Sequence, residues 1–596
     1  IKMTSEYKFA FSEGSTIEVV SEQKRDGSSS SRINEYFTPE FQLFSSPSMR
    51  KLIMEMHAVF TSTIVASKAS KLSSTQAVSF SRQYRSVLQR VCETGDETSA
   101  WSLFETLFFC PAQTPLVCDL SLWAQQSFSD STNAMHNLVE ERSVHMAAID
   151  LCPSYWSTVT LHLLSCQWNT LSSLLEEGNP DESRKALAET LKAFKFDWLT
   201  KEESLPHVDR WQKKLKDDQV EGVFNRNGNI QQLVDILLGK DAAIATSSSL
   251  LSRWWQLVPI VVLTKYRVIN PKQLQSIAQK CRSLWLISDP VVDVFDSMLS
   301  LNVHESLSHL SASIWISAHL TDLLYHTEQD RRHSESTLEL RRSLLREYGT
   351  ALFAHSSLWH LGVDYLYNAG REGQNDVMNL LCALPLDSER TARRALREAE
   401  MIMSADGMEG EGGESNRATR CIVRTMSGRH LKGRRWTPAL TWATRDYSGE
   451  CLMEVVTRIL NSATGEEIGQ LEVIEQLGDE RVLGSPSLTL LFNLYRFHRA
   501  DREQDKEAAL RILVDTVTSP DLPCVFSEKL LNELLRFLET QEASLDINSI
   551  YSLMELIKTP SMDKVDQSII GSIRLRLVES LSSSITPIRS APFLVR

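Results

Sequence analysis

The sequence is poor in the two residues that punctuate turns. Glycine fills 23 and proline 18 of its 596 positions, about 4% and 3% against typical usages of roughly 7% and 5%. A chain so short of turn residues is not a many-stranded sandwich or propeller, which needs a turn every ~8–12 residues. Long apolar runs are missing too. The longest uninterrupted aliphatic stretch, Leu257 to Leu263, contains Pro259 and falls far short of the ~20 residues that span a bilayer. The ten cysteines are dispersed and no two form a C-x-x-C arrangement, so they read as reduced core residues of an intracellular protein, not a disulfide framework. No basic segment followed by an apolar run opens the chain, so no secretory signal is expected. Positive charge is in deficit: 63 Lys and Arg against 76 Asp and Glu leave a net charge of −13. That excludes nonspecific duplex binding by the whole surface, and no direct nucleic-acid binding is expected.

What the sequence has is helical periodicity. From about Ser48, the residues Leu52, Ile53, Met56, Val59, Phe60 and Ile64 recur at steps of three and four, the stripe of an amphipathic helix. Similar stripes predict helices over Tyr155–Leu175, Ser249–Val262, Leu307–His326 and Leu338–Tyr367, and on through Val565–Leu581. Short turns such as Gly178-Asn179-Pro180-Asp181 join them. Helices of ~10–20 residues without βαβ alternation predict an all-α protein, an irregular α-solenoid stack. Residues 1–44 differ. Tyr7, Phe9 and Phe11 alternate with polar or small residues, and Ile17 and Val19 alternate again after Glu13-Gly14-Ser15. Period two around a glycine-containing turn is a hairpin signal, and Phe41–Leu43 is a third strand candidate. The expected organisation is an N-terminal strand segment (1–44), a helical body (45–403), an acidic glycine-rich insertion (404–417), a second helical module (418–581) and a frayed tail (582–596).

No constellation of residues points to catalysis, a cofactor or a metal. His304 and His309 flank a sequence like a zinc-protease helix, but at i, i+5 they lie roughly 140° apart around the helix, so capping or solvated histidines are expected. Gly428 to Arg435 has the glycine spacing of a phosphate loop but lacks its Lys-Ser/Thr pair. Arg390, Arg393, Arg394 and Arg397 follow i, i+3, i+4, i+7 and form one basic face, expected to be solvated or salt-bridged. Trp254, Trp255, Trp315, Trp359, Trp436 and Trp442 fall in helical stretches and are expected to pack between layers.

One series of segments is more specific. Ser317–Leu324, with His319 and Asp322, precedes Leu344–Leu366, which carries Tyr348, His355, Trp359, Gly362, Asp364 and Tyr365. Leu384–Leu386, Ala439–Ala443 and Leu494–Arg499 follow in order. This order resembles the Nup-eighty-five family, the propeller-binding nucleoporins of the Y-shaped outer-ring complex. The resemblance implies a scaffold and not an enzyme, built on the ancestral coatomer element: a trunk, a crown that folds back over it, and a tail. It implies that the N-terminal strands complete a Seh-type WD-repeat propeller, with Phe9, Phe11, Ile17 and Val19 as the apolar face. The C-terminal helix would join other Y-complex nucleoporins at the hub, through Ile569, Ile573, Leu575 and Leu577. Location at the nuclear pore and a part in mRNA export and nuclear transport are further implications. A vesicle-coat scaffold and a soluble solenoid transport receptor are the alternatives.

Overall fold

The computed structural model describes the backbone of residues 7–12 and 16–21 and, outside short connecting segments, residues 47–405 and 417–585. From residue 47 onward every regular element among the described residues is a helix. The chain divides into two compact units, residues 1–374 and 375–596. That division precedes the glycine-rich stretch at which the sequence changes composition.

The first unit runs outward and then returns. The outward leg comprises α1 (Pro47–Ser67), α2 (Ser74–Leu88), α3 (Gly95–Phe104), α4 (Leu116–Ser127), α5 (Ser129–His145), α6 (Tyr155–Leu164), α7 (Trp168–Glu176) and α8 (Glu182–Ala193). The return leg comprises α9 (Leu205–Val220), α10 (Gly228–Leu237), α11 (Asp241–Ser247), α12 (Val258–Lys265), α13 (Leu274–Leu284), α14 (Asp293–Leu299), α15 (Val303–His309) and α16 (Ile314–His326). Contacts between the legs are nested: α8 meets α9 and α10, α6 meets α10 and α12, α4 meets α12, α3 meets α14, and α1 and α2 meet α16. Two further helices, α17 (Ser334–Phe353) and α18 (Trp359–Asn368), pack on α16 and on each other. A continuous apolar core fills the space between the legs, with Trp101, Trp254, Tyr84, Tyr155 and Phe104 fully buried. Each helix shows the others one apolar face, so only stacking of neighbours buries it.

Helix ends are set by local chemistry. Ser73 and Gln76 close a capping box at the start of α2, which satisfies two backbone N–H groups the helix itself leaves unpaired. Asp181 caps α8 by accepting from the Arg184 N–H. Several expected helices are broken where the sequence shows one stripe. Tyr155–Leu175 divides at Cys166, whose φ of 58° turns the chain between α6 and α7. Leu338–Tyr367 divides between α17 and α18 through residues 354–358, which contain neither glycine nor proline. Leu307–His326 likewise falls into α15 and α16, and Ser249–Val262 passes through 3₁₀ turns at Ser248–Leu250 and Trp254–Leu257 before α12.

The second unit is a simple ladder. It begins at Asn375, after the first turn of α19 (Arg371–Ala383), and continues through α20 (Glu389–Ala405), α21 (Arg417–Lys432), α22 (Trp436–Ala443), α23 (Glu450–Ser462), the short α24 (Gly465–Ile468), α25 (Pro486–Arg502), α26 (Lys506–Thr518), α27 (Ser527–Glu539), α28 (Ile547–Leu556) and α29 (Gln567–Ile585). From α20 on, each of the longer helices packs on a sequence neighbour. On α20 the buried face is Ala392, Ala395, Leu396, Ala399 and Ile402, opposite the arginines, which is the division of labour expected of a surface helix.

Candidate functional site

Two of the segments that carry the family resemblance, Ser317–Leu324 and Leu344–Leu366, meet at one seam in the first unit, where α1 packs on α16, α17 and α18. Ile53 and Phe60 of α1 share an apolar cluster with Ile314, Leu345, Tyr348, Leu361 and Tyr365. The Phe60 ring stacks on Tyr365 at 4.2 Å between centroids. Gly349 and Gly362 let α17 and α18 touch backbone to backbone: a Cβ on Gly362 would lie 2.5 Å from the Gly349 carbonyl oxygen and 2.7 Å from the Phe353 nitrogen.

Several polar groups inside the seam are paired, although the buried Tyr348 hydroxyl and Asp322 Oδ2 have no hydrogen-bond partner among the described residues. Asp322 is fully buried and its Oδ1 accepts from Arg341 Nε at 2.8 Å and Nη2 at 2.7 Å. The remaining Arg341 nitrogen donates to the Asn368 carbonyl at 2.8 Å. Burial raises the pKa of the Asp322 carboxyl, but Arg341 and then His326 outweigh it and hold the group below the usual carboxylate range. His57 Nε2 lies 2.8 Å from Asp364 Oδ2 and ties α1 to α18. The Leu72 N–H donates to the His326 carbonyl at 2.8 Å, fixing the α1–α2 connection to the end of α16.

His319 lies at the centre with no exposed surface. Its Nδ1 faces the Trp315 carbonyl, which only accepts, so Nδ1 carries the proton. Nε2 therefore accepts from the Tyr365 hydroxyl at 2.9 Å. The imidazole is neutral, and burial pushes it down to about 4. The sign of the consequence follows. An unfolded histidine titrates near 6.5, so between pH ~6.5 and ~4 the unfolded chain binds a proton that the folded one refuses. Stability present above pH 6.5 is lost as pH falls through that window, by up to about 3 kcal/mol. Urea midpoints at pH 7, 6 and 5 should fall steadily. His319→Gln, which keeps a donor and an acceptor, should flatten the slope; equal slopes would remove His319 as the source.

Other features read from the sequence have structural occupations. His304 bonds Ser336 Oγ at 2.7 Å and His309 pairs with Glu305 at 3.7 Å. No group of His, Cys, Asp and Glu that could hold a metal occurs among the described residues. Gly428 lies within α21, not in a phosphate-binding loop. On the basic face, Arg393 pairs with Glu389 at 3.2 Å and Arg394 with Glu398 at 3.8 Å, while Arg390 and Arg397 are exposed. Trp254, Trp255, Trp436 and Trp442 are buried, and Trp255 stacks on Phe295 at 4.2 Å.

The residues expected to contact partners are placed as follows. In the N-terminal segment, the backbone of β1 (Tyr7–Ser12) pairs antiparallel with β2 (Thr16–Ser21), Phe9 opposite Val19 and Phe11 opposite Ile17. The expected third strand, 41–43, lies outside the described residues. On α29 the expected hub set is divided. Ile573 and Leu577 are fully buried, with Ile570, against α27 and α28, and so are corrected to internal packing residues. Ile569 is half-buried, and Leu575 is 61% exposed with Val578 beside it at 54%. Val578 was not among the residues read from the sequence; its spacing of three from Leu575 is the signal that could have found it.

The family model for the Nup85 nucleoporin matches residues 35–559. The chain belongs to the Nup85 nucleoporin family. Its relatives include the nuclear pore complex protein Nup85 of Xenopus laevis, 25% identical over 574 residues, with 88% of this chain and 84% of that protein covered. The zebrafish (Danio rerio) protein of the same name is 27% identical over 572 residues, covering 86% and 83%. The Drosophila melanogaster nuclear pore complex protein Nup75 is 24% identical over 606 residues, covering 90% and 84%. As a member of a family of structural nucleoporins, the chain is a component of the nuclear pore and associates with other nuclear pore complex components. No helix among the described residues is long and apolar enough to cross a membrane.

Proposed function

We propose that this nucleoporin is a scaffold of the Y complex that captures a Seh-type WD-repeat propeller through its N-terminal strands and joins the hub through its C-terminal helices. In that role it supports pore assembly, mRNA export and nucleocytoplasmic transport. The observation that carries the reading is the register of β1 and β2. Phe9 stands opposite Val19 and Phe11 opposite Ile17 in the backbone register, and among the described residues no further strand joins the sheet. A two-stranded ribbon is marginal alone and gains main-chain hydrogen bonds by adding to the open edge of a partner sheet. The nested legs of the first unit support the trunk and fold-back crown of the ancestral coatomer element, and the ladder of the second unit supports its tail.

Deleting residues 1–44 should abolish co-purification with the Seh-type propeller while the helical body stays folded by circular dichroism. Phe9→Asp and Phe11→Asp should each weaken the complex by about 2–3 kcal/mol, the burial energy of one aromatic side chain. Binding undiminished by the deletion would refute the strand-insertion reading.

For the hub contact, α29 is best tested by surface substitution. Truncation after Lys558 would also remove Ile570, Ile573 and Leu577 from the core of the last three helices. Leu575→Asp with Val578→Asp is expected to leave stability and propeller binding intact. Size-exclusion co-elution with the remaining Y-complex subunits should fall at least tenfold in apparent affinity. Undiminished co-elution would place the hub contact elsewhere.

A further inference from the structure

Two cysteines from different helices of the second unit meet. Cys382 lies at the end of α19 and Cys421 in the second turn of α21. The Cys421 thiol donates to the Cys382 carbonyl oxygen at 3.5 Å, which sets the two cysteines side by side. Both residues are partly exposed, whereas Cys118, Cys152, Cys166, Cys281 and Cys451 are buried.

The surroundings of Cys421 favour a thiolate. Arg417 stands four residues before it and Thr425 four after, so all three share one face of α21. The neighbouring Cys382 thiol draws the Cys421 thiol down to about 6; burial opposes this, and Thr425 and the Arg417 charge add to it. The isolated thiols go the other way. Burial pushes Cys110 and Cys118 up to about 11, and Cys166 and Cys281 to about 12. A partly exposed thiol of lowered pKa, one helical turn from an arginine and beside a second cysteine, is the arrangement of a redox-active pair.

We propose that Cys421 and Cys382 form a peroxide-reactive thiol pair that closes reversibly to a disulfide linking α19 to α21. In the first step the Cys421 thiolate attacks one oxygen of hydrogen peroxide. The S–O bond forms as the O–O bond breaks, and the departing hydroxide takes up a proton to become water. In the second step the Cys382 sulfur attacks the Cys421 sulfenic sulfur, and the S–O bond breaks. The hydroxide released combines with the Cys382 proton as a second water. Two thiols are oxidised by two electrons and one peroxide is reduced. A cellular dithiol such as reduced thioredoxin returns the pair to the thiol state by exchange. The closed bond would enclose α20 and its exposed arginines in a covalent loop, joining two helices that are otherwise held by noncovalent packing.

The test uses the full-length chain. Native labelling with iodoacetamide at pH 6.5, read by peptide mass spectrometry, should modify Cys421 at least tenfold faster than any other cysteine. Limiting hydrogen peroxide should then give a Cys382–Cys421 cross-linked peptide as the first oxidation product, lost on treatment with dithiothreitol. With Cys382→Ser, Cys421 should accumulate as a sulfenic acid trapped by dimedone, and with Cys421→Ser no cross-link should form. The labelling arm on the unaltered chain guards against a variant that folds poorly. Labelling of Cys421 at the rate of the other thiols would overturn the proposal. So would oxidation elsewhere before the 382–421 bond appears.

Discussion

Replacing Arg341 by Met should destabilise the first unit by about 3–5 kcal/mol, the cost of leaving a buried charge without its partner. Asp322 has no exposed surface, and Arg341 supplies two of its close donors; His326 at 3.5 Å is a poor substitute. Without the guanidinium, His326 is left as the main group opposing burial, and the Asp322 pKa is driven up. In the native chain the group titrates below its unfolded value, so the stability it contributes is present above pH ~4 and is lost as pH falls further. In Arg341→Met the sign reverses, and lowering the pH from 7 towards 5 should recover part of the lost stability from this site. Removing both charges, as Asp322→Leu with Arg341→Met, should restore most of the loss, because an apolar pair of similar volume does not carry the desolvation cost. Chemical denaturation of the three proteins at pH 7 and 5 decides it. A single variant as stable as the parent would show that the pair does not hold the seam.

Trp359→Ala should cost about 3–5 kcal/mol, the range for deleting a large core aromatic, and yield an aggregating chain. Trp359 is 5% exposed. It opens α18 directly after the turn that reverses the chain from α17, and meets Phe353 edge-on at 6.1 Å. A cavity there would loosen the same helix pair that Gly349 and Gly362 bring into backbone contact. The measurement is the thermal midpoint together with the monomer fraction on size exclusion. A soluble, fully stable variant that had lost one partner would instead make Trp359 a binding residue.

The helical class, the apolar stripes and the order of the motif segments were legible from residues alone. Period tells which side chains share a face, and α1 is an instance: Ile53, Met56, Val59 and Phe60 are all buried. Period does not tell what covers that face. The stripe of Leu338–Tyr367 continues across residues 354–358, because the turn there is made without glycine or proline and its Leu358 is itself buried. The α29 residues show the same limit, since Ile573 and Leu577 turned inward while Leu575 stayed out. His319, Asp322 and Asp364 were visible as motif letters, but not as a proton-bearing imidazole, a paired carboxylate and a clasp.

By itself, then, the sequence determined that this nucleoporin is a helical stack, because periodicity and turn poverty are local properties that each segment carries alone. Only the tertiary structure decided that α1 closes against α16–α18, that His57 meets Asp364 at a separation of 307 residues, and that Cys382 meets Cys421. Contacts of that kind depend on how many short turns add up between their partners, and no local pattern records the sum.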